Sequence, residues 1–540
     1  MNQSTETVEG LSPATEPQWE NPVDGAHWLR DWRIGEWLSG PVSPLFETLV
    51  LPRMTESKEN AGLGVIPWQG MAPRALNVLK PWYSVQHGYL FSRSDVWKAK
   101  TLPGMAHFVL RALAKPQWYA RWLENAEPLF DELLADLKAT PAEQLSSDEL
   151  ITRVELLVTY AAEWWYPVAF GGVDVFFLSG VYNRFVLNAR FPVHVLLYGY
   201  SGPQIDAEQQ IWEIAEAVRG LNLDSPVADQ LADSRIAPLV ETFYSRYGHV
   251  LDSIDPVYPL LKEQPQRLVS AVEAYLTTPQ PAPVKRADRT AAKRKAATTA
   301  ALQAVEGRLI VGRLFRRILT FTQALASNRE QVNWNFQRAF GELRETLLLL
   351  GGRLVESGHL SQPEQIFFLQ WSEIKRLITD PEVASNPSAV LVETADERKQ
   401  LWLQQQTMTA PSRIPPPDDA TWENEGFKGG GLGIDRTLTG AAASTGTARG
   451  RARVVRQPAD VEQLQPGEIL VAHATTPAMN FAISRAAAIV SNVGGVTTHS
   501  ALIAREFGIP AVIGTEVGTE VIKDGVELEV DGDAGVVRFL

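Results

Sequence analysis

Residues 487–510 read AAIVSNVGGVTTHSALIAREFGIP, and this stretch decides the fold of the last hundred residues. An apolar β run from Ala487 to Val490 leads into Gly494 and Gly495, which allow backbone conformations closed to other residues. Apolar positions at helical spacing follow. The pattern predicts a strand, a glycine turn and a helix that begins near His499.

This pattern places His499 where an anion would be stabilised. The first turn of a helix has unpaired N–H groups and the positive end of the helix dipole. The cationic imidazole is disfavoured there, so the ring stays a neutral nucleophile. An attached phosphoryl group would meet N–H donors and the hydroxyl groups of Thr497 or Thr498. The residues therefore indicate a phosphohistidine carrier, although spacing alone leaves open a histidine that only caps the helix.

Arg505 follows His499 on the same predicted helix. Six residues separate them, which is about 240° around a helix, so the two side chains are not expected to share a face. We predict that Arg505 is structural and ion-paired with a neighbour.

Short β runs extend this unit over residues 437–540. They are RARVV, EILVA, AAIV, AVIG, VELEV and GVVRF, and helical stretches near 478–486 and 500–507 lie between them. The alternation predicts a compact α/β (β/β/α) domain. Residues 409–436 before it are rich first in proline (TAPSRIPPPDD) and then in glycine (EGFKGGGLGID), which is the composition of a linker. We predict a hinge at Gly429, Gly430 and Gly431.

Residues 1–408 carry mainly helical patterns, so we expect a multidomain protein with a mainly α N-terminal region. A capping box of Ser146 and Glu149 predicts one helix start. The core positions expected at helical spacing are Leu150, Val154, Leu157, Val158 and Ala161, then Phe336, Phe340, Leu343, Leu347 and Leu350, and in a third helix Trp118, Trp122, Leu129, Phe130, Leu133 and Leu137. The basic run at 285–295 is either a solvated helix face or a docking patch for an acidic partner or a nucleotide phosphate.

Composition excludes several classes of protein. The chain has 540 residues, 45% of them hydrophobic and 21% charged, which is ordinary for about two to four globular domains. It has no cysteine, so disulfides, zinc–thiolate sites and cysteine nucleophiles are excluded. The net charge of −13 argues against a nucleic-acid partner.

The sequence also bears on localisation. The first residues have neither a basic segment nor an apolar core of the secretory kind, so we expect a cytoplasmic protein. The most apolar stretch, from Trp164 to Asn183, contains proline, glycine and aspartate, and we interpret it as buried protein rather than a membrane span.

The segment around His499 resembles the phosphohistidine signature of the phosphoenolpyruvate-utilising enzyme family. The similarity continues through LTGAAASTGTARGRARVV, GEILVAHATTPAMNFAISRAAAIV and DGVELEVDGDAGVVRFL, and it covers residues 437–540. It implies that His499 accepts and donates the phosphoryl group on a swivelling domain. Gly494, Gly495, Thr497 and Thr498 would support the phosphohistidine.

Four pieces of the N-terminal region are similar to the substrate-binding region of rifampicin phosphotransferases. They are WRIGEWLSGPVSPLF (32–46), HGYLFSR (87–93), FYSRYGHVLDSIDPVYP (243–259) and EQIFFLQWSEI (364–374). Those proteins have an arginine directly after the YGH histidine, where this chain has Val250. Any role tied to that arginine is therefore in doubt.

No ATP-grasp phosphate loop or GxxxxGK[ST] motif is visible, and only 41 residues follow His499. We therefore expect neither an ATP-binding domain nor a phosphoenolpyruvate-binding barrel in this chain. The arrangement resembles the two-component phenylphosphate-synthase type, in which an ATP-grasp subunit binds ATP and Mg²⁺ and a second subunit carries the substrate and the histidine. The resemblance implies that ATP gives AMP and phosphate and that a phenol such as 4-cresol accepts the phosphoryl group.

The acceptor site is expected in the helical region. A phenol has a pKa near 10, so a general base would assist its attack on the phosphohistidine, and His249 is the candidate base. A histidine hydrogen-bonded in the core is the alternative. The other candidates are Arg246, Asp252 and Asp255, which would orient the base or hold the phosphoryl group, and Trp164 and Trp165, which would line an apolar slot or pack in the core.

Three hypotheses follow. The chain is the phosphoryl-transfer subunit of an aryl phosphate synthase, or an antibiotic (rifamycin-type) phosphotransferase subunit, or a non-catalytic phosphohistidine carrier or regulator.

Overall fold

We analysed a computed structural model of the chain. It describes residues 18–21, 27–30, 37–38, 40–55, 83–93, 118–170, 173–186, 191, 193–197, 199–200, 202–221, 225–277, 281–384, 389–408, 410–411, 413–414, 437–456, 458–476, 479–495 and 498–540. Within these ranges the N-terminal region is mostly helical and the C-terminal region is built on a mixed sheet, as the sequence predicted.

The α-helices of the N-terminal region are numbered in chain order. They are α1 (Leu51–Thr55), α2 (Trp118–Ala139), α3 (Ser147–Phe170), α4 (Val173–Phe185), α5 (Pro203–Leu221), α6 (Val227–Leu231), α7 (Ala237–Tyr247), α8 (Pro265–Thr277), α9 (Pro283–Ala304), α10 (Leu309–Glu356), α11 (Trp371–Thr379), α12 (Pro381–Ala384) and α13 (Ala389–Gln406). A π-helix at Phe46–Val50 and 3₁₀ turns at Ala142–Gln144, Val193–Leu197, Leu261–Glu263 and Pro363–Phe368 complete the region.

Helix α10 organises the region. Its 48 residues span about 72 Å at 1.5 Å per residue, and it packs along α3. The apolar positions predicted for these two helices are all buried in one core. The capping box before α3 is also confirmed, because Ser146 N donates to Glu149 Oε2 at 2.7 Å and Glu149 N donates to Ser146 Oγ at 3.3 Å. These contacts fix the start of α3.

The structure also contains a small antiparallel sheet that the sequence did not predict. Its strands are β1 (Trp28–Leu29), β2 (Tyr83–Gln86), β3 (Tyr89–Arg93) and β4 (Arg413–Ile414), in the order β2-β3-β1-β4. Arg413–Ile414 belongs to the segment that we predicted as a linker, so that segment is not free along its whole length. Pairing of Trp28 with Ile414 ties it to the N-terminal region.

The C-terminal region forms an eight-stranded sheet among the described residues. The strands are β5 (Thr437–Thr439), β6 (Ala441–Ser444), β7 (Thr447–Val455), β8 (Ile469–Ala472), β9 (Ala488–Ser491), β10 (Ala511–Ile513), β11 (Glu527–Asp531) and β12 (Val536–Phe539). The order is β5-β12-β11-β7-β8-β9-β10-β6, and β7 to β10 are parallel. Helices α14 (Asn480–Ile483), α15 (His499–Phe507) and α16 (Gly518–Val521) and a 3₁₀ turn at Pro458–Gln463 connect the strands.

The parallel strands explain where chemistry can be placed in this sheet. β8 and β9 are neighbouring strands in which Ile469 is paired with Ala488, and all four residues of each strand are buried. Their carboxyl ends therefore open at the same edge, where side chains from two loops meet. His499 belongs to one of those loops.

Candidate functional site: His499 and the docked helical face

His499 is the first residue of α15, directly after the loop that leaves β9. The strand, turn and helix predicted from the sequence are thus confirmed. Thr498 is the N-cap residue, and its hydroxyl donates to Gly495 O at 2.9 Å rather than capping the helix. Gly508 ends the helix in the left-handed conformation with φ 69°. The helix start leaves N–H groups without intrahelical acceptors next to the imidazole.

The two glycines of the loop have different roles. Gly494 has φ 120°, a region that side chains rarely adopt, and a Cβ there would lie 2.8 Å from Thr498 Cγ2. A Cβ at Gly495 would meet no atom of the described residues within 4 Å. The path of the loop therefore requires glycine at 494. Thr497, the other predicted support residue, lies outside the described residues.

The imidazole of His499 is held by two contacts. Its Nε2 lies 2.8 Å from Asn480 Oδ1, and the ring also has a hydrogen bond with the backbone of Thr476. Burial and, to a smaller extent, the charge of Arg329 lower the pKa of His499 to about 3, and the Thr476 bond partly opposes both. The ring is therefore neutral at physiological pH. The sequence predicted neutrality from the helix terminus, whereas the structure attributes it mainly to burial.

Residues from the neighbouring loop complete the surroundings of the ring. Thr475, Thr476 and Asn480 follow β8 and are all buried. Thr475 Oγ1 lies 2.9 Å from Ser500 Oγ, which joins the two loops. Sequence reasoning missed these residues. The signal was available, because β8 and β9 were both predicted and adjacent parallel strands bring their carboxyl-end loops together.

The helix that carries His499 is docked against the helical region. His499 and Glu506 are seven residues apart and lie on nearly the same face of α15. Arg329 of α10 lies close enough to act on the pKa of both residues. At the end of α15, the guanidinium of Arg286 on α9 lies 5.1 Å from the ring centre of Phe507.

The surface where α15 packs against the helical region is called the docked face here. Three carboxyl groups lie close to one another at this face, those of Glu208, Glu330 and Glu506. Burial raises the pKa of Glu208, on α5, to about 7, although Arg286 donates to it at 2.9 Å. Burial also raises the pKa of Glu330 on α10. The pKa of Glu506 is raised well above its ordinary value by burial and then by Glu330 and Glu208, while Arg286 and Arg329 oppose the shift. The face is consequently rich in carboxyl groups that take up protons more readily than usual.

A second contact joins the two regions through α8. Arg267 makes a buried bidentate pair with Asp252, with both N–O distances 2.6 Å, and its Nε lies 3.7 Å from Glu462 Oε1. Glu462 follows β7 in the C-terminal region, and its other oxygen lies 3.9 Å from Arg485. The docked arrangement therefore includes polar contacts between α8 and the C-terminal region.

His249, the predicted base, lies in different surroundings. Its ring packs against Trp334, with 4.3 Å between ring centres, and its backbone lies against Gly341. Burial and, to a smaller extent, the charges of Arg338, Lys138 and Lys262 lower its pKa to about 3. A ring with that pKa is a weak base near neutral pH. Arg338 acts on His249, and Arg329 acts on His499. These two arginines are nine residues apart on α10, or about 13 Å, so the two imidazoles face different parts of that helix.

The predicted partners of His249 are engaged elsewhere. Asp252 pairs with Arg267, as described above. Asp255 accepts from Ser43 N at 2.5 Å and from Ser43 Oγ at 2.8 Å, and burial raises its pKa to about 6. Arg246 is exposed and lies over the ring of Tyr247. The structure does not bring these groups to His499, and their assignment to the acceptor site stays a prediction.

The structure describes only some of the remaining predicted residues. Trp164 is buried in the main core, with its ring 5.3 Å from that of Phe130. The side chain of Trp165 and the hinge residues Gly429, Gly430 and Gly431 lie outside the described residues. Arg505 donates to Ala443 O at 2.6 Å and is thus structural, as predicted, through a carbonyl group.

The basic run at 285–295 forms one part of α9. Lys285, Arg289, Lys293 and Lys295 are exposed, as expected for a solvated face. The side chains of Arg286 and Arg294 instead contact other parts of the protein. Arg286 contacts the C-terminal region, and Arg294 lies 3.6 Å from the ring centre of Tyr200.

No helix in the described ranges is long and apolar enough to cross a membrane. No group of three or more histidine and acidic side chains in those ranges could hold a metal ion.

Two known protein families match parts of this chain, and one of the matched segments includes His499. Residues 464–535 match the family described as PEP-utilising enzyme, mobile domain. Residues 189–330 match the rifampicin phosphotransferase fourth domain. The first match contains His499, and the second contains Glu208, Arg286, Arg329 and Glu330 of the docked face.

Individual relatives extend over larger parts of the chain. A rifampicin phosphotransferase from Streptomyces sviceus is 27% identical over 340 residues, which are 61% of this chain and 37% of that protein. A chondramide synthase from Chondromyces crocatus is 30% identical over 382 residues, which are 64% of this chain and 10% of that protein. A probable phosphoenolpyruvate synthase from Archaeoglobus fulgidus is 47% identical over 100 residues, which are 18% of this chain and 13% of that protein. The chain spans much less than two thirds of each relative, and these similarities support a phosphotransferase-type function.

Proposed function

We propose that this chain transfers a phosphoryl group through His499 to the hydroxyl group of a small phenol such as 4-cresol. It would act as the phosphoryl-transfer subunit of a cytoplasmic, ATP-dependent aryl phosphate synthase. The observation that carries the proposal is the neutral imidazole of His499, at a helix start, docked against a region similar to a phosphotransferase domain.

The first half-reaction uses the imidazole as a nucleophile. A neutral ring nitrogen of His499 attacks the β-phosphorus of ATP, and the N–P bond forms as the bond to the α–β bridging oxygen breaks and AMP leaves. Water releases the γ-phosphate. Asn480 and the backbone of Thr476 hold the ring in one orientation. The helix start stabilises the negative charge that the ring then carries, and the guanidinium of Arg329 stabilises it once the domain docks again.

Loading of His499 needs a donor site. We propose that an ATP-grasp partner subunit binds ATP and Mg²⁺ and gives AMP and phosphate. His499 is buried in the docked arrangement, so the C-terminal domain must leave the helical face to be loaded. Rotation about Gly429, Gly430 and Gly431 would allow this movement.

The second half-reaction takes place in the docked arrangement. The acceptor oxygen attacks phosphorus, the N–P bond breaks, and the electron pair returns to the ring nitrogen. Burial of the site excludes water and so protects the phosphohistidine from hydrolysis.

A rifamycin-type acceptor is the second candidate. Relatives named rifampicin phosphotransferase match 56% and 61% of the chain, which favours it. A third possibility, a non-catalytic carrier, predicts labelled His499 and no small phosphorylated product.

One experiment separates the three. The chain is incubated with an ATP-grasp protein of the same source, γ- and β-labelled ATP, Mg²⁺ and either 4-cresol or rifampicin. Formation of labelled cresyl phosphate, and its loss in His499→Gln, is expected. His473→Gln is the matched control, because His473 lies after β8 in the same domain and its pKa is also lowered by burial. Product formation by His499→Gln at the rate of the unaltered chain would refute the proposal.

A further inference from the structure

Transfer of a phosphoryl group to a hydroxyl group releases a proton, and the docked face holds a group that can accept it. We propose that Glu330 of α10 takes the proton of the acceptor hydroxyl as the phosphoryl group leaves position 499. This inference rests on the proposed function and names the base for its second half-reaction.

The position of Glu330 is the first argument. It adjoins Arg329, whose charge acts on His499, on Glu506 and on Glu330 itself. One guanidinium is therefore the common neighbour of the carrier ring and of this carboxyl group. A Cβ at Gly202, just before α5, would lie 3.3 Å from Glu330 Cβ, so the side chain lies against the start of α5. It is also close enough to Glu506 of the docked α15 to act on the pKa of that residue.

The free oxygen of Glu330 is the second argument. Its Oε1 is buried and has no hydrogen-bond partner among the described residues. A buried acceptor without a donor is costly unless another molecule supplies one. The hydroxyl group of a bound acceptor is a donor of the required kind.

The electrostatic surroundings are consistent with this role. The charged groups that face this site are Glu506 from α15, Glu208 from α5, Arg286 from α9 and Arg329 from α10. Burial raises the pKa of Glu330, and only Arg329 opposes the shift. A carboxylate with a raised pKa is a stronger base than an exposed one.

Glu506 has similar surroundings but a different position. It lies on the helix that carries His499 and moves with it, so it leaves the acceptor whenever the domain undocks. Glu330 stays in the helical region, where the acceptor would be bound. The proton balance is complete there, because Glu330 becomes neutral as the O–P bond forms and returns the proton to water when the domain leaves.

The test uses the full chain loaded without a partner. Phosphoramidate, a chemical donor for histidine, phosphorylates His499, and the decay of phosphohistidine with 4-cresol is followed by ³¹P NMR between pH 5 and pH 9. His499→Gln identifies the signal of the carrier. The unaltered chain should transfer more slowly as the pH falls through the pKa of Glu330, because the carboxylate becomes protonated.

Glu330→Gln should slow transfer on the order of a hundredfold and remove this acid limb, while loading of His499 is unchanged. Glu330→Asp should transfer at an intermediate rate and keep the limb. Glu356→Gln, an exposed glutamate at the far end of the same helix, should behave as the unaltered chain does.

Two results would overturn the inference and leave the proposed function intact. One is transfer by Glu330→Gln within about threefold of the unaltered rate, and the other is a slow variant that keeps the acid limb. If the unaltered chain transfers to neither 4-cresol nor rifampicin, the proposed function fails and the role of Glu330 fails with it.

Discussion

Asn480 sets the orientation of the ring on which the chemistry depends. Its Oδ1 lies 2.8 Å from His499 Nε2, and both side chains are buried. A hydrogen bond of this kind contributes about 0.5–1.5 kcal/mol, and about 1.4 kcal/mol corresponds to a tenfold change in rate. We expect Asn480→Ala to slow phosphorylation of His499 by phosphoramidate up to about tenfold, measured as acid-labile phosphate.

Asn480→Asp tests which atom donates. If Nε2–H donates to the amide oxygen, aspartate keeps the acceptor and the rate should stay close to that of the unaltered chain. A loss as large as that of the alanine variant would show that the amide nitrogen donates to the ring. No effect of either substitution would contradict a role of Asn480 in holding His499.

At this scale the sequence predicted one part of the site and missed another. His499, Gly494 and Thr498 were placed at the turn and the helix start because this local structure depends on neighbours within a few residues, and their roles in phosphoryl transfer stay predictions. Asn480 lies 19 residues away in sequence, and Arg329 lies on a helix of a different region. Their proximity depends on strand order and on docking, which local spacing does not encode.

The loop between β9 and α15 is the element on which the position of His499 depends. Gly494 needs φ 120°, and a Cβ there would contact Thr498 and Ile513 below 3 Å. A strained residue of this kind costs about 1–3 kcal/mol. Gly494→Ala should therefore lower the thermal unfolding midpoint of the C-terminal domain and slow loading of His499.

Gly495→Ala is the matched control for this loop, because its Cβ would lie more than 4 Å from every atom that the structure describes, its own neighbours apart. It should change the midpoint little. Equal destabilisation by both substitutions would show that the loop does not depend on the conformation of Gly494.

The predictability of elements follows from their length and from the spacing of their contacts. The apolar positions of α3 and α10 repeat over many turns, so both helices were found from periodicity. The sheet of β1 to β4 was not found from the sequence, because β1 and β4 have two residues each and come from opposite ends of the helical region. The YGH segment was assigned to the acceptor site, which stays a prediction. The bonds of Asp252 to Arg267 and of Asp255 to Ser43 show that this segment also joins packed elements.

Docking of the C-terminal domain should depend on pH through His499. Burial holds its pKa at about 3 when docked, against an ordinary value of 6.5. The contribution of the neutral ring to docking is thus fully present above pH 6.5. It is lost at about 1.4 kcal/mol per pH unit as the pH falls towards 3. The raised pKa values of Glu208, Glu330 and Glu506 act in the opposite direction and favour docking at low pH.

The comparison of the unaltered chain with His499→Gln isolates the histidine. The chain has no cysteine, so a fluorophore pair can be attached at Lys293→Cys and Gln465→Cys, two exposed positions in the two regions. Between pH 7 and pH 5 the unaltered chain should lose docking relative to His499→Gln. Identical pH profiles would show that docking does not bury the ring. This contact was not predictable from sequence, because its residues are spread over α5, α8, α9 and α10.

The strands that begin and close the C-terminal sheet lie side by side, with Thr439 opposite Val536 and Thr437 opposite Arg538. A short connector could therefore join these two ends, and new termini could be opened in an exposed turn. Such a circular permutant would keep the sheet and the loop of His499 but attach the domain to the rest of the chain at a different point. The tether and the chemistry of this domain could thus be altered independently of each other.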